Sequence, residues 1–166
     1  MEVDPSIRLA GAADGEALAG LRYEFRAELA VASESRDEFL ARGRLWIETR
    51  LTTAPTWQCW VADRAGELAG MAWLHLIAKL PNPAAEREWY GYITSLYVRP
   101  DQRGHGLGSA LLATVLAECE ARLVDSVILW PTPRSRSLYA RHGFAVPEYL
   151  LERRVVPSGP RHDAAV

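Results

Sequence analysis

Tyr97-Val98-Arg99-Pro100-Asp101-Gln102-Arg103-Gly104-His105-Gly106-Leu107-Gly108-Ser109 is the stretch that decides the fold of this chain. Upstream of it, Trp89 to Val98 is dense in aromatic and β-branched residues, with apolar side chains on both alternating faces. That is the pattern of a central strand covered on each side, and Arg99-Pro100 ends it. Downstream, Leu107, Leu111, Leu112, Val115, Leu116, Cys119 and Leu123 recur at helical spacing, so a helix runs from Gly106 to about Leu123. Unpaired N–H groups at a helix start lie at the positive end of its dipole, and glycines let an anion approach the main chain closely. Strand, glycine turn and helix together predict an anion-binding loop.

Working outward, Ser126 to Trp130 is the next strand, stopped by Pro131 and Pro133, and Ser135 to His142 is a short helix closed by Gly143. Phe144–Val146 and Tyr149–Val156 predict a terminal hairpin. Before the decisive stretch, Ile7 to Ala10 reads as a first strand, followed by helices over Gly15–Ala32 and Arg36–Thr52. Phe39, Leu40, Trp46, Ile47 and Leu51 form the inward face of the second helix. Gln58–Asp63 and Leu68–Leu80 form an antiparallel pair across a turn at Arg64-Ala65-Gly66-Glu67, and Pro81 to Glu88 is a surface loop. Antiparallel strands followed by strand, helix and strand give a mixed α/β (α+β) sheet, because parallel pairing needs such a crossover. One domain over 1–156 is expected, with a disordered tail over 157–166.

The chain has 166 residues, 19 Lys plus Arg against 21 Asp plus Glu, and a net charge of −2. No global basic field is available for nucleic acid. Charge-free runs such as Gly104 to Ala117 fall short of the ~18 apolar residues of a membrane span, and the acidic start is unlike a signal peptide. A cytoplasmic protein is the expectation. Cys59 and Cys119 lack C-x-x-C spacing and read as buried thiols, and the histidines and cysteines show no metal-ligand spacing.

The glycines discriminate between loop types. A P-loop requires a lysine that does not follow here. A dinucleotide fingerprint requires a third glycine where Ser109 stands, and it starts directly after its strand, whereas Arg99 to Arg103 intervene. Arg103-Gly104-His105-Gly106-Leu107-Gly108 instead closely resembles the pyrophosphate loop of GNAT acetyltransferases, [RQ]-x-x-G-x-[GA]. Leu96-Tyr97-Val98 before it and Leu138-Tyr139-Ala140-Arg141-His142-Gly143-Phe144 after it also resemble signatures of that family.

The resemblance implies a mostly antiparallel central sheet of about seven strands with a splayed parallel pair, flanked by about four helices. It also implies acetyl-coenzyme A as co-substrate, with pantetheine along Leu96, Tyr97 and Val98. The pyrophosphate would lie on the backbone of Arg103, Gly104, His105, Gly106, Leu107, Gly108 and Ser109, and Ser135 to Tyr139 would flank the thioester. Tyr139 would supply the proton to the departing thiolate. The other reading of Tyr139 is a ring packed with Phe144.

The resemblance leaves the base and the acceptor open. Many relatives carry a carboxylate on the strand before the loop, where this chain has Thr94 and Ser95, and Thr132 stands where the family often has asparagine. Glu24 and Glu28 share a helix face by i,i+4 spacing; they either attract a cationic amine or form a solvated face paired with Arg22 and Arg26. His75 is either a base or a core imidazole, and Trp89 is the tryptophan expected to line a cleft. The activity expected is acetyl transfer to a primary amine of a small molecule or peptide, and the resemblance also implies a homodimer formed through the terminal hairpin. The alternative is a non-catalytic acyl-coenzyme A sensor.

Overall fold

The structure is a computed structural model that describes residues 5–153 and 155. Ala65 and Gly66, with φ of +53° and +92°, form the tight turn between β2 (Trp57–Arg64) and β3 (Glu67–Ala78). Two successive left-handed residues match the twist of the flanking strands, and Asp63 Oδ1 accepts the Gly66 N–H at 2.7 Å. β1 (Ser6–Leu9) adds antiparallel to β2, and β4 (Trp89–Val98) antiparallel to β3. β5 (Ser126–Ile128) adds parallel to β4, giving the order β1-β2-β3-β4-β5. The class is the expected mixed α/β.

Helices α1 (Gly15–Ala27) and α2 (Arg36–Thr53) follow β1. Ser35 starts α2 with a reciprocal cap: its Oγ accepts the Glu38 N–H, and Glu38 Oε2 accepts the Ser35 N–H at 3.0 Å. Leu18, Leu21 and Ile47 from these helices pack on Cys59, Val61, Met71, Trp73 and Tyr97 of the sheet. α3 (Leu107–Ala121) packs on β2, β3 and β4. It takes the opposite face: an added Cβ at Gly70 or Gly91 would meet Leu111 or Cys119, and those glycines alternate with the Met71 and Trp73 set. Cys59 and Cys119 are buried free thiols.

Several expectations need correction. Five strands form in place of about seven, because among the described residues none after Ile128 is in a strand. The expected terminal hairpin does not form among the described residues: 144–153 pair with no strand, and Val146, Tyr149, Leu150 and Leu151 are all exposed, so no apolar face is buried there. Arg154, Val156 and the expected tail over 157–166 lie outside the described residues. α1 stops at Ala27 instead of Ala32: both Leu29 and Ala30 turn back to the Arg26 carbonyl, and Val31 is 99% exposed. Trp46 of α2 is not fully inward but stands half-exposed, edge-on to Trp57. The β5 pairing ends at Tyr92↔Ile128 instead of reaching Trp130, while β4 continues to Val98.

The chain divides into two compact units, one running to Leu129 and one starting at Trp130. The second unit holds α4 (Arg136–Arg141) and its flanking loops. Gly143, at φ +83°, closes α4 with its own N–H on the Ala140 carbonyl and that of Phe144 on the Tyr139 carbonyl.

Candidate active site

The glycine loop is built by backbone conformation. Pro100–Gln102 form a single 3-10 turn after β4, and Gly104 and Gly106 then take φ of +84° and +80°. A Cβ at either glycine would meet no protein atom within 4 Å, so the left-handed backbone, and not internal packing, requires glycine there. Gly106 is the N-cap of α3, and Ala110 is the first residue whose N–H finds the helix ladder, on the Gly106 carbonyl at 3.0 Å. The N–H groups of Leu107, Gly108 and Ser109 precede that ladder, as at any helix start. The positive dipole end and an open cradle of glycines suit a diphosphate.

Beside the loop, β4 carries a bulge. Trp73 pairs with Thr94 and Met71 with Tyr97, so Ser95 and Leu96 together oppose Ala72. Ser95 takes φ +52°, a conformation rare for a residue with a Cβ. Arg22 of α1 reaches this bulge and donates from Nη1 to Ser95 Oγ at 2.8 Å. Burial pushes the Arg22 guanidinium down to about 10, with nearby Arg26 adding repulsion.

Glu24 and Glu28 are engaged by arginines at the end of β4 and in the loop. Arg99 donates to both Glu24 oxygens, at 3.2 and 3.4 Å. Arg103 Nη2 lies 2.9 Å from both Glu28 oxygens, and the Tyr97 hydroxyl donates to Glu28 Oε1 at 2.8 Å. Arg103 Nε also donates to the Val98 carbonyl at 2.8 Å. These contacts fasten the loop to α1 and to the end of β4, so the two carboxylates serve the loop instead of standing open for a cationic amine. Burial and Glu28 push the Tyr97 phenol well above its ordinary value. Tyr97 therefore points its ring into the α1 face, against Phe25, and offers a ligand only its backbone.

In the second unit, Tyr139 is buried and meets Phe144 edge-on, with ring centroids 5.6 Å apart. Burial pushes its phenol up to about 12, partly offset by a hydrogen bond with Ser135. Ser135 Oγ also accepts the Thr132 N–H at 2.9 Å and donates to the Thr132 carbonyl at 3.0 Å, so Thr132 caps the turn into α4. A phenol at about 12 keeps its proton across the neutral range.

His75 lies in a row across the sheet, Trp57↔His75↔Tyr92, and stacks on Trp57 at 4.2 Å. Burial, then Arg50, pushes its imidazole below the ordinary 6.5. The stack on Trp57 is the packing role, and the lowered imidazole is neutral at pH 7. A depressed histidine contributes stability that is complete above the unfolded value of about 6.5 and is lost as pH falls through its lowered folded value. The urea midpoint should therefore drop more between pH 8 and pH 5 in the native chain than in His75→Phe; equal drops would remove this account. Trp89 opens β4, with its carbonyl accepting the Asp125 N–H. The strand rise puts it about 20 Å from Ser95, so the structure does not bring it to the loop. The side chain of His105 shows no resolved role.

Residues 18–144 match the family model for the acetyltransferase (GNAT) family. The chain belongs to that family. It is 35% identical over 98 residues to a mycothiol acetyltransferase of Acidothermus cellulolyticus, covering 57% of this chain and 26% of that protein. The chain thus spans roughly a quarter of the length of the curated relatives it matches, 26% and 29% for two of them. Among solved structures, a predicted acetyltransferase with acetyl-CoA from Clostridium acetobutylicum superposes with a TM-score of 0.76 at 20% identity, covering 90% of this chain and 96% of that one. A GCN5-related N-acetyltransferase from Ralstonia eutropha JMP134 gives 0.74 at 25% identity, covering 90% and 98%.

Two features of this GNAT chain escaped the sequence reading: the β4 bulge and the position of Arg22. Ser95 carries no turn signal, and Arg22 sits on α1 among other charged residues, so neither has a local signature. Among the described residues, no helix is long and apolar enough to cross a membrane, and no group of three or more His, Cys, Asp or Glu could hold a metal ion.

Proposed function

We propose that this chain transfers the acetyl group of acetyl-CoA to a primary amine of a small molecule or peptide. The observation that carries the reading is the Gly104/Gly106 cradle at the start of α3, next to a strand whose parallel partner stops at Ile128. Backbone N–H groups from Arg103 through Ser109 hold the diphosphate, and the main chain of Leu96 and Val98 takes the pantetheine amides. When bound, the coenzyme supplies the thioester carbonyl that the amine attacks.

The chain's own contribution is placement and polarity. Binding two reactants together would replace a bimolecular encounter, and N–H groups at the Ser95–Leu96 bulge would be the donors for the oxygen on which charge develops. Through the resemblance of Leu138 to Phe144 to the family signature, Tyr139 would be the hydrogen-bond donor to the departing sulfur. Its phenol near 12 is a weak acid beside a thiol of about 8.5, so the proton lost by the amine completes the transfer. Thr94 and Ser95 cannot take that proton at neutral pH, and the amine reacts as the fraction already present as free base.

Calorimetry with acetyl-CoA followed by a thiol-release assay over an amine panel tests this. Saturable binding and release with at least one amine are expected. Binding without release on any amine would mean a non-catalytic acyl-CoA module, and absence of binding would end the proposal.

A further inference from the structure

The cations around the glycine loop divide into two kinds. Arg99 and Arg103 each face a carboxylate, Glu24 and Glu28. Arg22 does not. Among the described residues its contacts are the Ser95 hydroxyl at 2.8 Å and the Phe25 ring at 5.7 Å. Its helical neighbours three and four positions away are Leu18, Ala19, Phe25 and Arg26, none of them acidic. A hydroxyl satisfies one guanidinium donor and, among the described residues, leaves the charge without an acidic partner. Arg26 adds a second positive charge one turn on, an arrangement that disfavours the helix by itself. Tyr92, on the outer half of β4, also acts electrostatically on Arg22.

We propose that Arg22 is the acceptor-recognition residue, receiving the oxyanion of an amine that also bears a carboxylate or a phosphate. This rests on the reading of the bulge as the place of acetyl transfer. A guanidinium held by one bond to Ser95 has further donors in a planar fork, the geometry that matches carboxylate and phosphate oxygens. Its partial burial strengthens such a pair relative to one in water. The charge logic is the reverse of that expected from Glu24 and Glu28. Those carboxylates are taken up by the loop arginines, and the charge left facing the bulge is positive.

The test uses matched primary amines: L-phenylalanine against phenethylamine, L-tyrosine against tyramine, and glucosamine 6-phosphate against glucosamine. The native chain should favour the anionic member of at least one pair by tenfold or more in kcat/KM. Arg22→Gln should shrink that ratio at least tenfold, and Arg22→Lys should retain part of it. The carboxylate and phosphate pairs separate the two sources of oxyanion. The same pairs are titrated by NMR, following the Arg22 Nε–H signal, so that recognition is read without turnover. Anion binding that depends on Arg22, in a chain that fails to bind acetyl-CoA, would overturn the acetyl-transfer reading and keep the anion site. Acetyl-CoA binding and turnover with no preference in any pair, or a preference that Arg22→Gln leaves intact, would overturn the inference alone.

Discussion

Tyr139→Phe is expected to lower turnover at least tenfold while changing acetyl-CoA affinity little. The ring stays, so the packing against Phe144 survives, and only the hydroxyl and its hydrogen bond with Ser135 are lost. A hydrogen bond of that kind contributes about 1 kcal/mol to stability, too little to unfold a domain. On the proposed acetyl transfer the hydroxyl would act in the step where negative charge collects on sulfur, and loss of an interaction made only there lowers kcat and kcat/KM together. Steady-state rates beside calorimetric affinities measure this. An unchanged kcat would leave Tyr139 as a packed ring, the other role that its burial allows.

Gly106→Val should weaken acetyl-CoA binding at least tenfold. The backbone at φ +80° costs an L side chain about 1–2 kcal/mol, and a β-branched one more. The new side chain would also project into the open cradle, where no protein atom lies within 4 Å of its Cβ. Strain alone is controlled by Gly66→Val in the β2–β3 turn. Gly66 has φ +92° and equally open surroundings, and it belongs to the β2–β3 turn instead of the glycine loop. The Gly66 variant should lose stability by a similar amount and keep its coenzyme affinity. Equal affinity in both variants would remove the loop from the binding site.

The two variants differ in how far the sequence alone anticipates them. Gly106 was legible because a loop that needs left-handed residues must use glycine, and the helix that follows declares itself by its own leucines. Tyr139 was legible only through the motif around it; neither its burial nor its bond with Ser135 follows from spacing. The hairpin at Ala65-Gly66, the cap at Ser35 and the end of α4 at Gly143 are likewise local matters, decided within a few residues by backbone conformation and hydrogen bonding.

Long-range pairing is another matter. Glu24 meets Arg99, Glu28 meets Arg103, and Arg22 meets Ser95, each across more than seventy residues of chain. Periodicity places all three side chains on exposed turns of α1, but it carries no record of which cation lies opposite. The bulge at Ser95 and Leu96 depends on the register of β4 against β3, and the end of β5 on how far that sheet can go on pairing. The linear order of residues thus determined most of the elements, the glycine loop and the family, since each rests on interactions between near neighbours. Only the folded chain decided which cation meets Glu24, which meets Glu28 and which meets Ser95, because those pairings depend on distances between segments that the covalent chain keeps far apart.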